Sequence, residues 1–465
     1  MDRKNKVGIL SLAFTLIAIG VILLLDNFID IDVIRSLSIL WPIIIVLFGL
    51  ELIIKYFMLK NGENGIKFHG LSILLLIIII FITSAISNIY IYFPNLEIGE
   101  FINYNYRYNS EFSKDYEIDK KAKLSIDNTL GNIDIKKSKI ENIKINTTVE
   151  MDHNDEEYAQ KVANEIIEIL ELKNEIKIIT KTRNYLDKRD KVANIRVNLS
   201  ILVPKDLEID VKNRHGNVIV EGIKGPVNVV NEHGEIKTKL IENNVNIINA
   251  HGDIKIENIN GNVKVENEHG NIEVDKVSQD LIVKNQFGSI EINQVEGNAN
   301  ITNSHDKINV KNVKGKTEID SKFSEVEVSN VGGDLDIKGE HRDIIISKAM
   351  ENVMVFNKFG DIEVEGVNKN IKIKNNNGEI TLSNNENIEG KVDIENEFGN
   401  IKLELSKNQG GYFKIFTDSG KVDTDLPFTI KKDFNEESVD DKIGNNKSEF
   451  YIHNERGDIS IETID

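Results

Sequence analysis

The chain contains no cysteine among its 465 residues, so disulfides, zinc thiolates and thiol nucleophiles are all excluded. Proline is scarce, five in all, which together with abundant Ile, Asn and Lys suits a strand-rich, turn-rich protein. Positive charge is in deficit: 57 Lys and Arg against 75 Asp and Glu leave a net charge of -18 and a pI near 5.1. A nucleic-acid partner is therefore not expected, because phosphate would be repelled. Also missing are a GxSxG elbow, an HExxH helix, a P-loop and the Gly-Gly-x-Gly-x-Asp nonapeptide of Ca²⁺ rolls. "VGGDLD" at 331–336 echoes the last only in part and reads as a turn. No catalytic residue and no organic cofactor are predicted.

Long apolar runs are present, and only near the start. They cover about 7–25, 38–58 and 71–93, each near the roughly 17–25 residues a spanning helix requires. The first ends in "LLLDNFIDID" with no small-x-small cleavage site, so it reads as an anchor rather than a cleaved signal. Arg3, Lys4 and Lys6 precede the first run, and Lys55, Lys60 and Lys67 separate the second from the third. Asp26, Asp30 and Asp32 face a single Arg35 in the loop between the first two. The positive-inside rule then predicts a multi-pass protein of the cell membrane, with a cytoplasmic N-terminus and everything after Phe93 outside. Trp41, Tyr90 and Tyr92 fall near the outer interface. Glu51 lies within a run, and Lys55, one turn on, offers a snorkelling partner.

The rest of the chain repeats. "NEHGEIKT" at 231, "NAHGDIKI" at 249 and "NEHGNIEV" at 267 are near copies, and His-Gly pairs stand at 215, 233, 251 and 269, each 18 residues after the last. The phase continues through Phe287, His305, Phe323, His341, Phe359 and Asn377, then shifts by three residues to Phe398. Such a run is the signature of a repeat architecture. With the His or Phe as position zero, positions +3, +5, +8, +12 and +14 are almost always aliphatic. Examples are Ile254, Ile256, Ile259, Val263 and Val265, or Ile362, Val364, Val367, Ile371 and Ile373. Alternation within +3/+5 and +12/+14 marks two short strands with one buried face each. The predicted fold is an all-β solenoid, β-helix or β-roll-like, of 18-residue coils attached to an N-terminal bundle of three transmembrane helices. A helical array is excluded, since it needs longer units and a 3.6-residue stripe.

Six of the nine histidines occupy position zero, but Phe takes it in three other in-phase units. Phe neither ligates a metal nor moves a proton, so these rings are expected to stack rather than react. Two residues earlier runs a column of Asn213, Asn231, Asn249, Asn267, Asn285 and Asn303, suited to amide–amide hydrogen bonding at a turn.

Flanking the repeats, "DEEYAQKVANEIIEIL" predicts an amphipathic helix over 155–170, with acids at its start. "LGNIDIKK" at 130–137 looks like an isolated early coil, and "FNEESVDDKIGNNKSEF" like a polar loop. The organisation is then a transmembrane region (1–93), a juxtamembrane segment with an irregular start to the solenoid (94–212), regular repeats (213–400), and degenerate C-terminal repeats with a cap (401–465). "GVILLLDNFIDID…SLSILWPIIIVLFGLELI" resembles the transmembrane region shared by LiaI and LiaF, envelope-stress proteins of Gram-positive bacteria. "ILVPKDLEIDVKNRHGNVIVEGIKGPVNVVNEHGEIK" resembles the bacterial adhesin-type family of β-strand repeats. The two resemblances imply a cell-envelope protein and carry over no catalytic residue.

One outward column invites a ligand. Position +2 of the later coils reads Glu325, Asp343, Asp361 and Glu379, with Glu327 and Glu363 alongside. Carboxylates about 5 Å apart repel each other, and a hard cation such as Ca²⁺ would relieve this; the alternative is a solvated acidic face. The functional expectation is a non-enzymatic, membrane-anchored extracytoplasmic solenoid that binds or senses at the cell envelope. Its partners would be the membrane and a protein or envelope polymer along the rod. Alternatives are a glycan-active enzyme on the same scaffold, or a self-associating rod, which capped ends would oppose.

Overall fold

A computed structural model describes residues 6–25, 39–58, 67–92, 107–117, 123–139, 142–153, 155–186, 193–444 and 447–464. It divides into two compact units. One comprises Met1–Arg107 with Asp152–Asn154, the other Tyr108–Met151 and Asp155–Asp465.

In the first unit the three apolar runs form helices α1 (Ile9–Leu25), α2 (Leu40–Met58) and α3 (Gly70–Tyr92). By length and composition α2 is apolar enough to cross a membrane; the described apolar stretches of the others are shorter, Ile9–Ile22 and Gly70–Ser84. Lys6–Val7 pairs in parallel with Lys67–Phe68, and the His69 N–H donates to the Val7 carbonyl at 3.0 Å, so α1 and α3 begin side by side. The polarity of the unit is inverted. Phe14, Ile17, Val46, Phe57 and Phe81 are exposed, whereas Ser11, Thr15, Glu51, Ser72 and Thr83 are buried. Leu40, Ile44 and Leu76 supply a small apolar contact among the helices. The Asp26–Arg35 loop, Arg3, Lys4 and Lys60 lie outside the described residues, as do the side chains of Tyr90 and Tyr92.

The second unit is the solenoid. Each coil has two short strands, such as Ile254–Ile259 and Val263–His269, and each strand pairs in parallel with its equivalent 18 residues on: Ile254 with Ile272, Val245 with Val263. All five predicted inward positions of the His251 coil are buried, at 1% exposure or less. The uneven step from +5 to +8 has a backbone cause. Position +7 is left-handed in coil after coil, with φ of 56° to 61° at Leu240, Asn258, Lys276, Gln294, Asn312, Asn330 and Lys348. That one residue turns the chain so that +8 points inward again, although a side chain there costs about 1–2 kcal/mol. The other corner needs glycine. Gly252 has φ of +131°, and a Cβ on it would lie 2.2 Å from the Gly234 carbonyl oxygen. Where Asp306 and Ser324 replace that glycine, the strands run on through the corner as Ala299–Val313 and Thr317–Val331.

Both ends depart from sequence order. The coil Lys123–Leu130 with Ile133–Lys137 lies between Glu208–Glu221 on one side and Glu175–Thr180 with Ala193–Val203 on the other. At the far end, Glu449–Arg456 and Ile459–Ile464 insert between Lys391–Ser406 and Gly411–Thr424. "LGNIDIKK" is thus a coil within the stack, not an isolated one. The helix predicted over 155–170 is shorter, Glu156–Glu165, with the Asp155 carboxylate capping the Glu157 and Tyr158 N–H groups. Ile167–Leu172 is instead a strand, antiparallel to Glu175–Thr180 across a Lys173-Asn174 turn. Alternating Ile and Leu joined by a two-residue turn to "EIKIIT" favour a hairpin over two more helical turns. In the expected loop over 434–450, Glu436–Ile443 likewise forms a strand, antiparallel to Gly411–Thr417, with Val439 buried.

Three substitutions test the coil geometry. Gly252→Ala is expected to cost more than about 1 kcal/mol, and Ile256→Asp about 3 kcal/mol or more, because it buries an unpaired charge. Leu240→Gly is expected to stabilise, by up to about 1 kcal/mol. Urea midpoints of the three variants read out these signs.

Candidate functional site

Because the coils repeat in register, each outward position becomes a column along the rod. The most regular is position zero. From His215 to Phe359, nine rings stack face to face, with centroids 4.6–5.2 Å apart and interplanar angles of 21° or less. Beyond the Asn377 interruption, the Arg456 guanidinium lies 4.8 Å above the Phe398 ring. His and Phe alternate within the stack without disturbing it, as expected of building blocks. Most of these rings are exposed at their edges. His215, at the end of the run, is pushed below the usual histidine range by burial first, then by the neighbouring His233 ring and the Arg214 charge.

Behind the rings lies the asparagine column, which is buried and mostly bonded differently from the expectation. Asn249 Nδ2 donates to the Gly234 carbonyl at 3.2 Å and to the Gly252 carbonyl at 3.1 Å; Asn267 and Asn285 repeat the pattern. Each of these three amides therefore ties two successive glycine corners together, while at the base of the column the expected amide–amide bond forms, Asn128 Nδ2 donating to Asn213 Oδ1 at 3.0 Å. Thr417 Oγ1 takes the same role with the Gly457 carbonyl, at 3.0 Å. Side-chain amides also join in another column, where Asn370 Nδ2 donates to Asn352 Oδ1 at 2.7 Å and Asn352 Nδ2 to Asp334 Oδ1 at 2.8 Å.

The acidic column also has local work. Asp343 Oδ1 accepts the Asp361 N–H at 2.9 Å, and Asp361 Oδ1 accepts the Glu379 N–H at 2.8 Å. Elsewhere along position +2, Asn217 and Asn271 accept the equivalent N–H groups at 2.9 Å. Asp and Asn are thus interchangeable caps, and what recurs is the acceptor oxygen rather than the charge. Glu325 pairs with Lys307 Nζ at 3.2 Å. The same lysine bonds Glu327, holding its carboxyl below the usual range.

The outward face of the other strand, positions +13 and +15, carries a shallow depression of about 540 Å³ floored by Met354 and flanked by Lys316, Asp336, Lys372 and Asp393. A second one of about 440 Å³ adjoins it at Phe356, beside Lys338 and Lys374. Nothing in the 18-residue pattern marks these positions, because outward residues vary from coil to coil. Only the outward Met354 and Phe356 signal the patch in the sequence.

In the first unit, Glu51 is expected to pair with Lys55. What its carboxylate holds is the first turn of α1: Oε1 accepts the Gly8 N–H at 3.1 Å and the Leu10 N–H at 3.3 Å, and Oε2 accepts the Ser11 N–H at 2.9 Å together with the Ser11 hydroxyl. A carboxylate at a helix N-terminus satisfies unpaired donors and complements the helix dipole.

Residues 121–329 and 315–462 match the family described as Toastrack DUF4097. The chain belongs to that family. The two matched segments meet within the regular coils and take in the out-of-order coils at both ends, so the toastrack region is the solenoid itself. No curated protein matches the chain. Among solved structures it is similar to a putative cell adhesion protein from Clostridium sporogenes, at 12% identity over 77% of this chain and 100% of that one, with a TM-score of 0.19. It is also similar to a putative adhesin from Bacteroides fragilis, at 14% identity over 57% and 97%, with a TM-score of 0.23. A putative lipid binding protein from Parabacteroides distasonis shows 11% identity over 77% and 97%, with a TM-score of 0.15. At such scores these likenesses carry no functional argument.

Two melts separate structure from ligand on the toastrack columns. His251→Phe with His269→Phe is expected to leave the melting curve within about 0.5 kcal/mol of the parent, as for substitutions that keep the local contacts. Asp343→Asn with Asp361→Asn is expected to keep or raise the melting temperature, whereas the two Ala variants lose about 1 kcal/mol per cap. If Ca²⁺ raises the parent curve above Na⁺ of matched ionic strength, and the Asn pair erases that increment, the column is a cation site as well as a cap.

Proposed function

We propose that this protein is a non-enzymatic, membrane-anchored binding protein of the cell envelope, with its toastrack rod on the extracytoplasmic side. The observation that carries the anchoring is the inverted polarity of the helical unit. Large apolar side chains of α1, α2 and α3 face outward while Ser11, Thr15, Glu51, Ser72 and Thr83 are enclosed. That arrangement is costly in water and favourable in lipid, where polar groups must find partners inside the protein. Thr15 and Thr83 do so by bonding the Ser11 and Ile79 carbonyls one turn back, each at 2.8 Å. The side-by-side starts of α1 and α3 support a reading with three crossings, in which α2 returns the chain between them. The lysine distribution then favours a cytoplasmic N-terminus. The likeness of residues 20–53 to LiaI and LiaF adds envelope stress as a setting.

Binding is assigned to the lateral surface of the rod. Every coil there spends its inward residues on the core and leaves its outward ones free to vary. The Met354–Phe356 depression is the apolar part of that surface, and an apolar floor with a polar rim suits a protein or polymer partner.

Protease added to intact protoplasts is expected to digest the region after Phe93 and spare a tag on Met1; a protected rod would reverse the orientation and remove the surface role. Cross-linking pull-downs from intact cells, with the rod present and deleted, are expected to lose envelope partners only in the deletion. Met354→Asp with Phe356→Asp is expected to weaken that capture at least tenfold, about 1.4 kcal/mol.

A further inference from the structure

We propose that the first two rings of the column, together with one carboxylate, form a binding site for a divalent transition-metal ion that prefers imidazole, such as Zn²⁺ or Cu²⁺: His215, His233 and Glu232. Among the described residues this is the one group of three whose donor atoms all lie within 4.8 Å of one another. The two rings are nearly parallel, 3° apart in plane with centroids at 4.7 Å, and one nitrogen of each lies within 4.8 Å of the other. Ligands bound tetrahedrally to Zn²⁺ at about 2.0–2.1 Å sit about 3.4 Å from each other. Closing from 4.8 Å to that spacing takes up to about 1.4 Å and a tilt of the two rings toward each other, so that the ion lies in both ring planes; side-chain torsions can supply both because His233 and Glu232 are exposed and His215 half-exposed.

The site is local, which reconciles it with a ring column that is otherwise structural. His305 stacks between Phe287 and Phe323, and His341 between Phe323 and Phe359, so neither has a second imidazole beside it. In the His233–His251 pair the residue before the second ring is Ala250; the His251–His269 pair has Glu268 there, as the first pair has Glu232, but among the described residues only the first pair brings all three donors within 4.8 Å of one another. Arg214 completes the picture as a competitor: its Nε lies 2.8 Å from Glu232 Oε2. An arriving ion would exchange that guanidinium for itself, and removing the guanidinium should therefore favour the ion.

The test uses full-length protein in detergent, stripped with chelator and titrated with Zn²⁺ alone by calorimetry. The parent is expected to bind one ion per chain. His215→Phe with His233→Phe, which preserves stacked rings, is expected to weaken binding at least tenfold, Glu232→Gln several-fold, and Arg214→Ala to tighten it. His305→Phe with His341→Phe is expected to change nothing. Cu²⁺ loaded at one equivalent is expected to show hyperfine coupling to two imidazole nitrogens, a readout that needs no variant to fold. Coupling to one nitrogen or none, or equal loss of Zn²⁺ in both double variants, overturns the site.

Discussion

Direct contact between backbones at the glycine corners sets the spacing on which every other feature depends. At Gly234, Gly252 and Gly270 an added Cβ would come within 2.3 Å of the preceding glycine's carbonyl oxygen, so at these corners the coils close to sheet distance because the side chain is a hydrogen, whereas at Asp306 and Ser324 the chain passes the corner as continuous strand instead. The Asn amide behind each corner bonds the carbonyl of its own glycine and that of the preceding one, which holds the corner shut from inside. Given those contacts, parallel pairing at an 18-residue step follows. Any position then meets its own equivalent at about 4.8 Å, and columns of identical chemistry arise without further instruction. The ring stack, the capping column and the amide column are consequences of that one register.

The interior was legible because burial imposes a period that no outward substitution can disguise. Ile and Val at +3, +5, +8, +12 and +14 must recur, whereas the residues between them are free. The order of coils at the ends was not legible. Lys123–Lys137 finds its partner about 85 residues on, and nothing in the local pattern of a strand says which neighbour it will choose. Insertion of Glu449–Ile464 between two earlier coils is equally non-local. It places Glu449–Ile464 inside the stack, so that local opening of those strands would disturb a coil on either side. The hairpin at 167–180 was missed for a different reason: a helical pattern and a strand pattern abut at Ile166, and the apolar residues fit both periods over a single turn.

Within the candidate sites, position was legible and bonding was not. The sequence placed Asp343 and Asp361 in line but could not reveal that each caps the following coil. It placed the Asn column at a turn without showing that the partners are glycine carbonyls. Glu51 is a similar case. Spacing along α2 suggests Lys55, yet the strand pairing of Lys6–Val7 with Lys67–Phe68 brings the start of α1 within reach, and four donors there outweigh one cation.

These assignments explain how a rod with so rigid an interior can carry variable chemistry. At position zero the fold asks for a flat ring and accepts His or Phe. At +2 it asks for an acceptor oxygen and accepts Asn or Asp. Charge and metal affinity are therefore not fixed by folding at either column, and a single exchange changes them at little structural cost. Where four imidazoles fall in succession, from His215 to His269, the flat-ring requirement alone would have been met by Phe. The run is thus where chemistry beyond stacking has the most room, and at its first step Glu232 lies close enough to both rings to supply the third donor.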